Sequence, residues 1–262
     1  MKPISEHRMK PIQDINKLKT GFKNQKDKKY DSTNIFFKQY YDGLFLFFNV
    51  TRSIKKKKDQ HLIDLAFNNY LVNCITCLEI FYKHMIQSFD RWSEQGYTEL
   101  LTEKVTLGQA FDLIGNEKIT KQYIIANHYS FQNFSTIGKT MSALTQKDFY
   151  KEVENYEVTY IGGTKEGKLD PTDTKTVKLI KDYPDWKKTI NKLYEDRNNF
   201  VHDGIILSNE KKLPHKINEI LTAYVSAANL YVMYSYFKSD KIKILTPEEF
   251  AKHEGPYIKT EK

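Results

Sequence analysis

The chain of 262 residues has few residues that interrupt helices, with only eleven glycines and seven prolines. The long stretches between them carry apolar residues at intervals of three and four positions, the spacing of one face of an α-helix. With 40% hydrophobic and 14% aromatic residues, the composition is that of a folded globular protein and excludes a disordered chain. We therefore expect an all-α fold made of mostly antiparallel helices.

The chain also lacks a long hydrophobic run. Its most apolar run covers residues 43–50, whereas a helix that spans a bilayer needs about 20 apolar residues. The first residues are polar and rich in lysine, so they do not have the pattern of a secretory signal peptide. These features predict a cytoplasmic protein without a membrane partner.

Cysteine is scarce, and the two cysteines do not form a complete metal site. Cys74 and Cys77 have the C-x-x-C spacing, but they lie in an apolar segment without a second pair. A structural zinc site needs about four ligands, and His84 alone does not complete one. We interpret both as buried core thiols. Phosphate-binding glycine loops, dinucleotide motifs and serine elbows are absent from the sequence, so no cofactor and no metal are expected.

Arginine is scarce as well, with four arginines against thirty-seven lysines. Residues 1–30 hold nine basic and three acidic side chains, so they account for +6 of the net charge of +8. The other 232 residues are nearly neutral, and the overall charge is weak support for nucleic-acid binding. Residues 1–31 are a basic leader without sustained periodicity, which is either a solvated tail or a contact for RNA. Residues 32–262 are expected to form one helical domain.

Periodicity and end signals predict helices along most of this domain. The segment 61–92 is apolar nearly all round, so we expect it at the centre of a bundle. Residues 158–174 contain Gly162-Gly163 and Asp170-Pro171, which predict a loop or a small hairpin. Further helices are predicted at 34–54, 106–113, 135–144, 146–156 and 217–237, with a short one from 246.

The segment 183–204 combines the clearest helix signals with the residues best suited to chemistry. Pro184 with Asp185 favours a helix start, and Gly204 favours a helix end. Between them, seven residues fall at helical spacing and predict one apolar stripe that includes an arginine: Trp186, Ile190, Leu193, Tyr194, Arg197, Phe200 and Val201. A guanidinium stays charged. Arg197 must therefore either bind a partner or line a cleft.

Arg197, Asn198 and His202 form a polar corner beside this stripe. Asn198 and His202 are four positions apart and so are neighbours on the helix surface. An arginine presents a planar fork that matches phosphate oxygens, and a histidine can transfer a proton near neutral pH. The alternative is structural, with Arg197 paired to an acid such as Glu195 or Asp203, or to a carbonyl, and His202 as a cation at the helix end.

The run from Arg197 to His202, with four residues between the two, resembles the Arg-x4-His motif of the HEPN domain family. The helix that carries Leu78, Glu79 and Lys83 is similar to an earlier helix of that family, and the helix order over residues 34–238 is compatible with it. The resemblance implies a HEPN-like helical bundle that dimerises and joins two Arg/His sets in one cleft. It also implies metal-independent cleavage of RNA.

On this resemblance, Arg197 would bind the scissile phosphate and His202 would transfer a proton. Asn198 would orient His202 or bind the phosphate. Glu79 is either a surface partner of Lys83 or a supporting acid near the arginine. The expected partners are an RNA substrate, a second copy of the chain, and a regulatory or antitoxin protein.

A role in bacterial defence or toxin-antitoxin control is typical of the family. Some HEPN toxins have a tyrosine two residues after the histidine, where this chain has Gly204, which argues against that paired system. One alternative is a catalytically silent HEPN module that binds RNA, nucleotide or protein. Another is an unrelated helical scaffold in which Arg197 forms a structural ion pair.

Overall fold

A computed structural model describes residues 32–236, except 55–58, 90, 103–118, 162–163, 166–167, 170–173 and 209–212. The predicted leader 1–31 and the predicted helices at 106–113 and from 246 lie outside the described residues. The described chain is mostly helical, and its helices are α1 Ser32–Ser53, α2 Gln60–Ser88, α3 Glu94–Thr102, α4 Lys121–His128, α5 Phe134–Thr145, α6 Phe149–Asn155, α7 Trp186–Asp203 and α8 Leu213–Tyr236. The predicted all-α class is confirmed.

Helix α2 lies at the centre of the bundle, as its apolar sequence predicted. It contacts α1, α4 and α7 and contributes twelve buried residues to the core. Helices α1 and α2 run antiparallel, since Phe36 contacts Phe81 while Phe47 contacts Phe67. The aromatic residues of α1 pack in the core, where the Tyr40 and Tyr70 hydroxyls are hydrogen-bonded at 2.8 Å.

An aromatic cluster joins α2 to the later helices. Tyr82 of α2 is hydrogen-bonded to Tyr224 of α8, and both rings are fully buried. The ring of Trp186, at the start of α7, stacks on Tyr224 with centroids 5.0 Å apart. Phe149 of α6 contacts both Tyr82 and Tyr231. The cluster therefore holds four helices together through large apolar surfaces.

Helices α3 and α5 approach each other closely at a glycine. The Ser93 amide, just before α3, donates to the Leu144 carbonyl at 3.1 Å. A Cβ atom on Gly96 would lie 2.2 Å from the Ala143 carbonyl oxygen. Because that neighbour is backbone, the contact requires a residue without a side chain.

The segment between α6 and α7 forms a hairpin, which confirms the prediction for residues 158–174. Strands β1 Glu157–Ile161 and β4 Thr174–Lys178 pair antiparallel, from Glu157 opposite Lys178 to Ile161 opposite Thr174. Strands β2 Thr164–Lys165 and β3 Lys168–Leu169 pair antiparallel between them. Among the described helices, none is long and apolar enough to cross a bilayer.

Candidate functional site

Helix α7 positions the predicted site residues. Its buried side chains include Trp186, Ile190, Leu193 and Tyr194, which form the predicted apolar stripe. The helix ends at Gly204, which has a φ of 67° and donates its amide to the Asn199 carbonyl. This left-handed conformation suits glycine, and the predicted helix end is confirmed.

The buried part of the stripe ends before Phe200 and Val201. Phe200 is half-buried and Val201 is 46% exposed, while the last buried residue of α7 is Asp196. Helical spacing shows which residues share a face, but it does not show how far neighbouring elements cover that face. The last turn of α7 thus exposes apolar surface, which continues in Ile205 and Ile206.

Arg197 lies at the end of the covered part of α7 and is half-buried. Its Nη1 donates to the Asn198 side-chain oxygen at 2.9 Å. Its Nε is buried and has no hydrogen-bond partner among the described residues. In the same part of the chain, Arg197 forms no ion pair with Glu195 or Asp203, and Glu195 instead accepts from Asn191 at 2.7 Å. A buried guanidinium N–H without a partner is costly, and an anionic ligand would satisfy it.

Glu79 of α2 lies near the same place. Its carboxylate pairs with Lys83 at 2.8 Å and accepts from the Gln132 amide at 3.1 Å. The buried Tyr194 hydroxyl donates to the Phe131 carbonyl at 3.3 Å. Burial raises the pKa of Tyr194 well above its usual value, the Glu79 carboxylate adds to that rise, and Arg197 opposes it. Glu79 and Arg197 thus both affect the pKa of the Tyr194 hydroxyl. Within the described chain, they form neither a hydrogen bond nor an ion pair with each other.

His202 occupies the last turn of α7, and its side chain is exposed. Five residues of helix place it about 140° around the axis from Arg197. The Asn198 oxygen is used by Arg197, so the Asn198 hydrogen bond in this structure orients the guanidinium. One chain therefore brings Arg197 and Asn198 together and presents His202 on the adjacent outward face.

The backbone after His202 is held by a residue that sequence reasoning missed. Asn68 of α2 is fully buried, and its amide donates to the Leu207 carbonyl at 2.8 Å. The Leu207 amide donates back to the Asn68 oxygen at 3.2 Å. The available signal was weak, because Asn68 is one of three asparagines in this largely apolar helix, and only a buried one needs partners within the protein.

Both cysteines are buried free thiols, as predicted. Burial raises the pKa of Cys77 to about 12 and that of Cys74 still further. Both thiols therefore stay protonated and unreactive at neutral pH. In the part of the chain that the structure describes, no group of three or more His, Cys, Asp or Glu residues is arranged to hold a metal ion.

The protein is therefore an all-α bundle in which helix α7 carries a half-buried arginine and an exposed histidine near its C-terminal end. No protein-family model matches the chain, and neither the curated proteins nor the solved structures contain a significant match. Its function is therefore argued from the residues of the site.

Proposed function

We propose that the protein is a metal-independent RNA endonuclease of the HEPN type. The observation that carries the proposal is the state of Arg197, whose Nε is buried and has no partner among the described residues. Such a group is suited to a ligand that provides hydrogen-bond acceptors, and the oxygens of a phosphate diester are acceptors of this kind. The exposed His202 follows after just over one helical turn.

Arg197 would bind the scissile phosphate. The Asn198 oxygen holds Nη1 at 2.9 Å and so fixes the plane of the guanidinium. The remaining N–H groups are arranged in a rigid fork, which matches two phosphate oxygens. Because the extra negative charge of a phosphorane-like transition state develops on these oxygens, the same contacts would lower the barrier to cleavage.

His202 would transfer the proton. Neutral imidazole would take it from the ribose 2′-hydroxyl, whose oxygen then attacks the adjacent phosphorus as the 5′-oxygen bond breaks. Imidazolium would instead give a proton to the leaving 5′-oxygen. The products are a 2′,3′-cyclic phosphate and a free 5′-hydroxyl, and DNA is not a substrate because it lacks the nucleophile.

One chain supplies one arginine and one histidine, so a symmetric homodimer would supply the second set for a composite site. A toxic ribonuclease also requires restraint, which a regulatory or antitoxin protein would provide. The biological setting that fits is bacterial defence or toxin-antitoxin control, with the enzyme acting in the cytoplasm.

The test is incubation of purified protein with RNA in the presence of EDTA, followed by analysis of the product ends. We expect cyclic phosphate ends. We also expect losses of about 10²–10³-fold in the cleavage rate for Arg197→Ala and about 10²–10⁴-fold for His202→Ala. Arg52→Ala and His61→Ala are matched controls, because both side chains are exposed and lie on other helices. Unchanged cleavage by the Arg197 and His202 variants would refute the assignment.

A second candidate is a catalytically silent HEPN module that binds RNA, nucleotide or protein. It is favoured by the geometry of Asn198, whose oxygen is bonded to Arg197 while His202 faces outward. This function requires the anion site but no proton transfer. RNA binding that depends on Arg197, without cleavage and without an effect of His202→Ala, would support it.

A further inference from the structure

An apolar groove of about 850 Å³ lies between α1 and α2, and the proposed activity does not use it. Among the residues that the structure describes, none of those lining the groove is charged. Two of its leucines are unusually exposed for apolar residues, with Leu46 at 65% and Leu62 at 50%. Other apolar residues of the walls are Val50, Ile54, Leu65 and Ala66. An apolar groove with two exposed leucines on its walls is a candidate docking surface.

Residues 1–31 lack periodicity as a whole, but residues 11–22 contain one short stretch of apolar residues at helical spacing. Residues 11–22 begin with Pro11, which suits a first helical turn, and place Ile12, Ile15, Leu18 and Phe22 on one arc of a helix. Lys19 lies on the same arc, where its aliphatic stem can cover apolar surface while its ammonium group stays in water. The arc spans about 120° at roughly 100° per residue. As a helix, this segment would be about 18 Å long. The α1 wall of the groove runs from residue 43 to residue 54, which is about 16 Å of helix.

The segment also has the necessary reach. Nine residues separate Phe22 from Ser32, the first residue of α1, and extended chain of that length spans about 33 Å. The near end of the groove, at Gly43, lies about 16 Å along α1 from Ser32. The far end, at Ile54, lies about 33 Å away. The segment therefore reaches the groove of its own chain.

We propose that residues 11–22 occupy this groove of the same chain as an amphipathic helix, covering Leu46 and Leu62. The C-terminal residues fit less well. Helix α8 starts near α1, where the rings of His215 and Phe48 are 5.3 Å apart, and it then runs about 34 Å to Tyr236. The segment after Tyr236 thus begins far from the groove and must run back along the bundle to reach it, whereas residues 11–22 lie only nine residues before α1.

Cross-linking of the full chain tests this docking. Leu18→Cys is combined with Leu46→Cys and treated with a short bismaleimide. Native Cys74 and Cys77 are buried, so they do not compete. We expect a link within one chain, identified by peptide mapping of the product of monomer mass. The matched control combines Leu18→Cys with Phe45→Cys, because Phe45 is 63% exposed but does not line the groove.

The rate of linkage should be several-fold higher for the Leu46 pair than for the Phe45 pair. Adding Ile15→Asp should reduce it to the rate of the control, since a carboxylate on the apolar arc opposes docking. Circular dichroism checks that each variant remains folded. Equal rates for the two pairs would overturn the proposal, and so would a link that forms only between two chains, which would indicate that a second copy fills the groove.

Discussion

Asn68 connects the centre of the bundle to the chain just after the candidate site. It is fully buried in α2 and exchanges two hydrogen bonds with the backbone of Leu207. Gly204 ends α7 three residues earlier, so the bond to Leu207 fixes where the chain goes after His202. A structural residue of this kind affects the position of an exposed imidazole without touching a ligand.

Replacing Asn68 by alanine should lower the free energy of unfolding by about 2–3 kcal/mol, because it leaves both backbone groups of Leu207 without partners. Urea denaturation measures the loss, and hydrogen exchange at the Leu207 amide should become faster. The control is Asn69→Ala. Asn69 is exposed and donates to the Leu65 carbonyl of its own helix, so its loss should stay within about 0.5 kcal/mol. Equal losses for the two variants would contradict this role.

At this scale, the sequence indicated features of neighbouring residues on one helix better than contacts between distant residues. The position of Arg197 within an apolar stripe indicated a half-buried guanidinium, and the spacing of Glu79 and Lys83 indicated their ion pair. The bonds of Asn68 to Leu207 were beyond prediction because 139 positions separate the two residues. The exposure of Val201 was missed for a related reason, since it depends on where neighbouring elements end.

Helices α3 and α5 depend on one close approach of their backbones. Gly96→Ala would place a methyl group 2.2 Å from the Ala143 carbonyl oxygen, so the helices would have to separate. We expect a loss of about 1–3 kcal/mol in the free energy of unfolding, the usual cost of overpacking. Thermal denaturation measures it.

Thr98→Ala on the same helix is the control for this substitution. Thr98 is exposed and donates to the Glu94 carbonyl one turn earlier, so its loss should change stability by less than about 0.5 kcal/mol. A Gly96→Ala protein as stable as the Thr98→Ala protein would show that the two helices separate at little cost.

Helices with clear periodicity or end signals were predictable, including α6 with seven residues, whereas α3 and α4 were not. Six described helices match predicted segments, because each carries several turns of periodic apolar residues or clear end signals. Helices α3 and α4 have nine and eight residues, which is too short to be stable without tertiary packing. Their formation depends on contacts with α5 and α2 that no local pattern reveals. The hairpin was predictable from its Gly-Gly and Asp-Pro turn signals.

Across the whole molecule, several acidic groups are buried in neutral form. Burial raises the pKa of Cys77 from 9.0 to about 12, and it raises the pKa values of Tyr82, Tyr194 and Tyr224 above the usual 10.0. The folded state therefore keeps protons that the unfolded state releases. The stabilisation is complete below pH 9 and is lost as the pH rises through the higher folded pKa values.

We expect the free energy of unfolding to fall steadily above pH 9, by up to about 1.4 kcal/mol for each unit of pKa difference. Urea denaturation at a series of pH values measures the slope. In parallel, ultraviolet absorbance should show the buried tyrosines ionising together with the loss of helical circular dichroism. Tyr234→Phe is the control, since that side chain is exposed and should leave the slope unchanged. Constant stability between pH 9 and pH 12 would contradict the prediction.

The fold class and the central position of α2 followed from composition and periodicity, because both depend on the total amount and pattern of apolar surface. The arrangement of the other helices around α2 depends on which side chains pack against each other across the helix interfaces. The periodicity of one sequence does not reveal those pairs. The same limit applies to the candidate site, where helical spacing did not give the outward direction of His202.

The stacking of Trp186 on Tyr224 makes intrinsic fluorescence a probe of the folded core. The chain has two tryptophans, and this one sits where four helices meet, with neighbouring phenol rings 5.0 and 5.8 Å from its own. At such separations, light absorbed by those phenols is passed to the indole, so tyrosine emission should be weak while the rings remain together. Recovery of that emission would mark the moment when the centre of the bundle comes apart.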